Sequence, residues 1–267
     1  MGIAASGSSI GGIVYPIFFD KVQPKLGFSW TVRCIGFVVL GTCIVPCLTI
    51  KMKVAPKARR AIFNHHILKE TTFDVWSLAW FFGNMGLYIP YFFIEQYAAN
   101  VTHLTRETAL YTLTTINAAS IIGRIVPGLI ADRLKDPLLV LMSCTGCSTI
   151  LIFSWIAIRT SEAGLFVFCV LYGAFSGAFV SLSTPVTVTL APTMQDVGTR
   201  LGMFNFIGSL GILVGNPVAG AIIKSSWVGA QVFCGVACLL AMGLCGFVWT
   251  YFISSKRVER GRQVPSV

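Results

Sequence analysis

Eight stretches of this chain are each long enough and apolar enough to cross a bilayer, and that leaves few folds open. They run roughly over 2–19, 30–50, 74–97, 108–131, 138–158, 163–190, 201–223 and 227–253. At about 1.5 Å of rise per residue, each covers a hydrocarbon core of about 30 Å, some with tilt. Backbone groups in lipid must find partners inside the protein, and only helices supply them span by span. A membrane β-barrel would alternate over about ten residues instead. Composition agrees with helices: 55% of the 267 residues are hydrophobic and 11% are charged, against about 25% charged in a soluble domain. The sequence predicts an all-α integral membrane protein, a bundle of about eight transmembrane helices.

The formal charge of +10 does not point to nucleic acid, because the basic residues fall in short connectors between apolar runs. With the first span entering from the cytosol, thirteen basic residues face inward: Lys51, Lys53, Lys57, Arg59, Arg60, Lys69, Arg133, Lys135, Arg200, Lys256, Arg257, Arg260 and Arg262. Six face outward: Lys21, Lys25, Arg33, Arg106, Arg159 and Lys224. The positive-inside rule selects this orientation and places both termini in the cytosol. The longest connector, 51–73, is basic and separates two spans (1–50) from six (74–253), with a cytosolic tail over 254–267.

Polar residues inside spans are costly and mark a cavity or a partner helix. On 108–131, Thr114, Asn117, Ser120 and Arg124 share one sector of a helix at 3.6 residues per turn. Arg124 is the one charge well inside a span. It is an anion-binding residue on a watered path, or a residue that snorkels to headgroups or pairs with Asp132 or Asp196. Asn84, Tyr88, Tyr91 and Glu95 repeat the pattern on 74–97, and Tyr91 could instead belong to an interfacial belt. Asn205, Ser209 and Asn216 share a face of 201–223; Tyr172, Ser176, Ser183 and Thr187 share one of 163–190. The spans 30–50, 138–158 and 227–253 contain no Asn and no central charge, and read as outer helices. Gly208, Gly211, Gly215 and Gly220 with Pro217, and Gly7, Gly11 and Gly12 with Pro16, suit close packing and bending.

Catalytic chemistry is poorly represented. The three histidines, His65, His66 and His103, lie in loops, all ten acids lie in loops or near helix ends, and Cys144-x-x-Cys147 has no second pair. An enzyme, a metal site and a cofactor are not expected. Asn100-Val-Thr102 is a glycosylation sequon on the outer side.

GIAASGSSIGGIVYP, GFSWTVRCIGF, INAASIIGRIVPGLIADRLKDP and DVGTRLGMFNFIGSLGILVGNPVAGAI resemble the monocarboxylate-porter branch of the major facilitator superfamily, in a fungal version. The resemblance implies a twelve-helix fold in two halves, with these spans as helices five to twelve and about the first four absent. It implies a secondary transporter of a small organic anion, or an exporter of a fungal secondary metabolite. The other expectation is a shortened chain that does not transport and acts only as an interaction partner. Carried over, the family's arginine falls on Arg124 and holds the substrate carboxylate; the polar helix faces add Asn117 and Ser120 to orient it, Tyr88 to close over it, and Asn84 and Asn205 to line the path. Gly128, Asp132 and Arg133 match the superfamily's cytosolic loop motif, and Pro217 serves bending. Proton-carrying members often have Asp where this chain has Ser120, which puts proton coupling in question. The setting is a plasma or vacuolar membrane.

Overall fold

A computed structural model describes residues 2–51, 66–191 and 196–262, with side chains up to Tyr251. Met1, most of the basic connector (with Lys53, Lys57, Arg59, Arg60 and His65) and residues 263–267 lie outside the described residues, and the side chains of Lys256, Arg257, Arg260 and Arg262 are not included. Among the described residues the chain is helical throughout, without strands.

The helices are α1 (Gly2–Thr49), α2 (Thr71–Leu87), α3 (Ile89–Asn100), α4 (Arg106–Leu134), α5 (Pro137–Ile158), α6 (Glu162–Thr189), α7 (Val197–Ile223) and α8 (Trp227–Arg262). Six of them contain a stretch long and apolar enough to cross a membrane. This differs from the eight expected spans in two places. The first two spans form α1, in which Gly27 alone leaves helical geometry, at φ 74° and ψ 168°. That is a backbone position which glycine adopts without a Cβ clash. The rings of Phe19 and Phe28 meet edge to face at 6.1 Å across it. In a straight helix they would lie on opposite sides and about 13.5 Å apart along the axis, so the chain bends sharply at Gly27.

The third span is the other exception: it breaks at Tyr88 into α2 and α3. Pro90 has no N–H to offer the Gly86 carbonyl one turn back. The Cys234 thiol takes that carbonyl instead, at 3.1 Å, and the Tyr172 hydroxyl donates to the neighbouring Leu87 carbonyl at 2.6 Å. The freed backbone groups are thus satisfied by α8 and α6, as a break at membrane depth requires.

Several boundaries follow from local chemistry. Thr105 and Ser161 cap α4 and α6 with their hydroxyls. Asp136 caps α5 ahead of Pro137, which needs no donor in the first turn.

The core lies between α2, α6, α7 and α8. Trp76 stacks on Phe204, Phe204 on Trp80 and Trp80 on Phe179, at centroid distances of 5.4, 4.9 and 4.8 Å. Trp76 also donates its indole N–H to Thr187 at 2.8 Å. The α4–α6 crossing brings backbones into contact. A Cβ on Gly123 would stand 2.1 Å from the Ala174 carbonyl oxygen, and one on Gly173 would stand 2.3 Å from that of Ile116. Around this core the apolar residues point outward: Ile122, Val126, Leu129 and Ile130 are exposed on α4, while Asn117, Ser120 and Arg124 of the same helix are buried. That inversion of the soluble pattern suits a lipid-facing exterior. The second limb of α1, with Phe28, Trp30, Phe37, Leu40 and Leu48 exposed, is the most outward-facing segment.

Candidate functional site: the seam between α1 and α4

α1 and α4 run antiparallel along a continuous seam. Near one end, Gly2 of α1 lies against the backbone of Arg124 and Ile125. At the other, Asp20 pairs with Arg106 at 3.3 Å and Lys21 with Glu107 at 3.6 Å. Between them, the polar sector of α4 meets the small residues of α1 rung by rung. The Arg124 guanidinium donates through Nη1 to the Ala5 carbonyl oxygen at 2.5 Å and to the Ser8 hydroxyl. The Ser120 and Ser9 hydroxyls share a hydrogen bond of 2.7 Å, and Ser120 also bonds the Asn117 carbonyl. At the third rung, a Cβ on Gly12 would stand 2.4 Å from the Asn117 side-chain oxygen, so glycine there is what lets the helices close.

Arg124 is 7% exposed, and its Nε is buried without a hydrogen-bond partner. Among the described residues the ion pairs are Asp20–Arg106, Lys21–Glu107 and Glu70–Arg200; none involves Arg124. The expected structural escapes, headgroup snorkelling or a pair with Asp132 or Asp196, are not what the guanidinium does. It turns across the bundle to neutral oxygens of another helix. A buried cation served only by neutral acceptors retains most of its attraction for an anion.

Tyr88 and Tyr91 stand beside the seam at the α2–α3 break, near Arg124, their rings 6.0 Å apart. Tyr91 bonds Ser176 at 2.9 Å, and its ring lies 6.1 Å from that of Tyr172. Tyr91, Tyr172 and Ser176 thus form part of the wall, beside Tyr88. Asn84 is buried but turns its amide back to the Trp80 carbonyl. Asn205 is exposed on α7 and does likewise to Leu201. Neither amide hydrogen-bonds Arg124, Ser120 or Asn117 among the described residues.

Gly128 and Asp132 line a cavity of about 670 Å³ below Arg124, with Gly2, Ile3, Ile125 and Lys135. Arg133 is exposed. α7 passes through Pro217 without a break. Asn100, the last residue of α3, is exposed, and Thr102 of its sequon bonds the Ala98 carbonyl.

Residues that the sequence did not single out are Ala5, Ser8 and Ser9, and the pair of buried Arg200 with partly exposed Glu70. The spacing of Ala5, Ser9 and Gly12, one face of a helix of small side chains, was the available signal for the first group. Arg200 looked like a loop charge because it follows a connector. It sits instead in the first turn of α7, 2% exposed, 2.5 Å from Glu70 and over the Phe73 ring.

A multi-pass helical bundle with an unneutralised cation at an interhelical seam defines an integral membrane protein built around a polar interior. Residues 1–192 match the family model of the Major Facilitator Superfamily, and the chain belongs to that superfamily. Its relatives include the MFS-type transporter dbaD of Emericella nidulans, 37% identical over 90% of this chain and 55% of that protein. The aspyridones efflux protein apdF of the same fungus is 33% identical over 92% of this chain and 50% of its own length. The agnestins efflux protein AgnL12 of Paecilomyces divaricatus is 32% identical over 90% and 55%. The chain spans about half the length of the curated relatives it matches.

Proposed function

We propose that the protein is part of a secondary transporter that moves an organic anion across a fungal membrane, with Arg124 holding the anion's negative group. The observation that carries this reading is the buried guanidinium of Arg124, bonded to the Ala5 carbonyl and Ser8 and, among the described residues, to no carboxylate. Asn117 and Ser120 orient the anion from the same face of α4, and Tyr88 closes over it. Asn84 and Asn205 line the approach from α2 and α7, and Pro217 supplies a bend in α7.

Transport follows alternating access, two halves rocking about a midplane site. Residues 1–50 belong to one half and 74–253 to the other, joined by 51–73, with 254–267 as tail. Both termini face the cytosol, so the cavity beside Gly128, Asp132 and Arg133 opens inward. The membrane is plasma or vacuolar, and Asn100 stands on the outer side as a glycan acceptor. The monocarboxylate-porter branch is supported by the chemistry of Arg124, since a guanidinium matches a carboxylate bidentately. Export of a fungal secondary metabolite is favoured as the direction by the relatives named as efflux proteins. Ser120, in place of an acid, argues against proton coupling at this position.

The test is transport of labelled lactate and benzoate by yeast cells expressing the protein. Arg124→Ala abolishes carboxylate movement while surface expression stays normal. Unchanged transport removes Arg124 from the site.

A further inference from the structure

Three features of the seam bear on how an anion could reach Arg124. First, its hydrogen bonds are already made, and made to another helix: the Ala5 carbonyl and the Ser8 hydroxyl converge on one guanidinium nitrogen. Second, the residues above it are also committed across the seam, Ser120 to Ser9 and Asn117 against Gly12. Third, Gly2 and Ile125 both line the cavity of about 670 Å³, and Gly2 packs on the backbone of Arg124 and Ile125. The α1–α4 contact thus stands between that cavity and the Arg124 side chain.

We propose that Ala5 and Ser8 occupy the anion position of Arg124, so that anion binding and the closure of α1 onto α4 exclude one another. This rests on the reading of Arg124 as the anion's partner and adds the identity of its competitor. Two oxygens from α1 converge on Nη1, where one arm of a bidentate carboxylate would bond. They are neutral, whereas a carboxylate brings the opposite charge and can bond two guanidinium nitrogens at once. An anion arriving from the cavity therefore outbids them. It releases the Ser9–Ser120 rung as well, and the Ser120 hydroxyl reaches the ligand as a donor by giving up its bond to the Asn117 carbonyl. In the absence of an anion, α1 returns and covers a cation that would otherwise be left without acceptors. Gly12 makes this return feasible, since any Cβ there would meet the Asn117 amide.

The experiment measures binding of radiolabelled benzoate and lactate to the purified full chain in detergent, with three variants. Ser8→Ala removes one competitor and tightens binding about three- to tenfold, the scale of one hydrogen bond to a charged group. Ser9→Cys with Ser120→Cys, oxidised to a disulfide, pins the seam shut and abolishes binding; reduction restores it. Arg124→Gln loses binding altogether.

Oxidised protein that binds as well as reduced protein overturns the proposal. So does Ser8→Ala protein that binds more weakly, which would make Ser8 a ligand of the anion rather than its rival. If the reduced cysteine pair binds nothing, the direction of the Ser8→Ala change decides alone. Binding by the parent chain that is absent, or indifferent to Arg124→Gln, removes the anion reading itself. Binding that depends on Arg124 but ignores both the lock and Ser8→Ala removes only the competition.

Discussion

Arg124 and Arg200 are both buried, at 7% and 2% exposure, and each leaves its Nε without a partner. They differ in what meets their remaining nitrogens. Arg200, in the first turn of α7, has the Glu70 carboxylate at 2.5 Å and the face of Phe73 beneath it. It joins α7 to the start of α2, and its charge is cancelled within the fold. Arg124 meets a carbonyl and a hydroxyl from α1, and no carboxylate among the described residues cancels its charge. The difference teaches that burial of an arginine does not by itself mark a site. What marks one is burial without a counter-charge, because the cost of that arrangement can be recovered only when an anion arrives.

Each prediction probes this contrast. The largest effect is at Arg124 itself: replacement by Gln lowers anion affinity by about a hundredfold or more, as loss of a buried charge pair does, while Arg200→Gln leaves the affinity of the folded fraction unchanged. Saturation binding on the two variants measures it.

Next comes the strut. Glu70→Gln leaves Arg200 buried and unpaired, and costs about 3 kcal/mol of stability. Arg200→Gln costs less, because Glu70 is 42% exposed and regains water. Unfolding in detergent compares the two, and an equal loss would contradict the assignment of burial to the arginine.

Converting one arginine into the other's situation is the third test. Ser8→Asp gives Arg124 a resident carboxylate, lowers anion affinity about tenfold or more, and raises the unfolding temperature. A tighter-binding Ser8→Asp would break the analogy.

The smallest effect belongs to the exposed pairs at the far end of the seam. Neutralising Asp20 or Glu107 changes stability by less than about 1 kcal/mol, and the change disappears in high salt.

Much of the fold was legible because hydrophobic length alone dictates it. The spans over 108–131, 138–158 and 201–223 lie inside α4, α5 and α7 as observed, and 163–190 overruns α6 by one residue. The two departures have local causes that apolar length hides. The connector between the first two spans remains helical but for Gly27, and the break at Tyr88 sits within an unbroken apolar run, signalled only by Pro90.

The polar sector of α4 was legible from its 3.6-residue period, including the inward turn of Asn117, Ser120 and Arg124. What covers it was not. Periodicity gives the face of a helix but never its partner, so the match of Ala5, Ser8, Ser9 and Gly12 to that face emerges only in three dimensions. For the same reason Glu70 and Arg200, 130 residues apart, read as separate connector charges.

If an anion completes the charge of Arg124, the site must tell a carboxylate from its neutral amide. Calorimetric titration of the purified chain with benzoate and with its uncharged counterpart benzamide, repeated on Arg124→Gln, measures this. Benzoate is expected to bind the parent chain and benzamide is not, and the distinction is expected to vanish in the variant. Equal binding of the two compounds by the parent, or a preference for benzoate that survives the substitution, would contradict that role of Arg124.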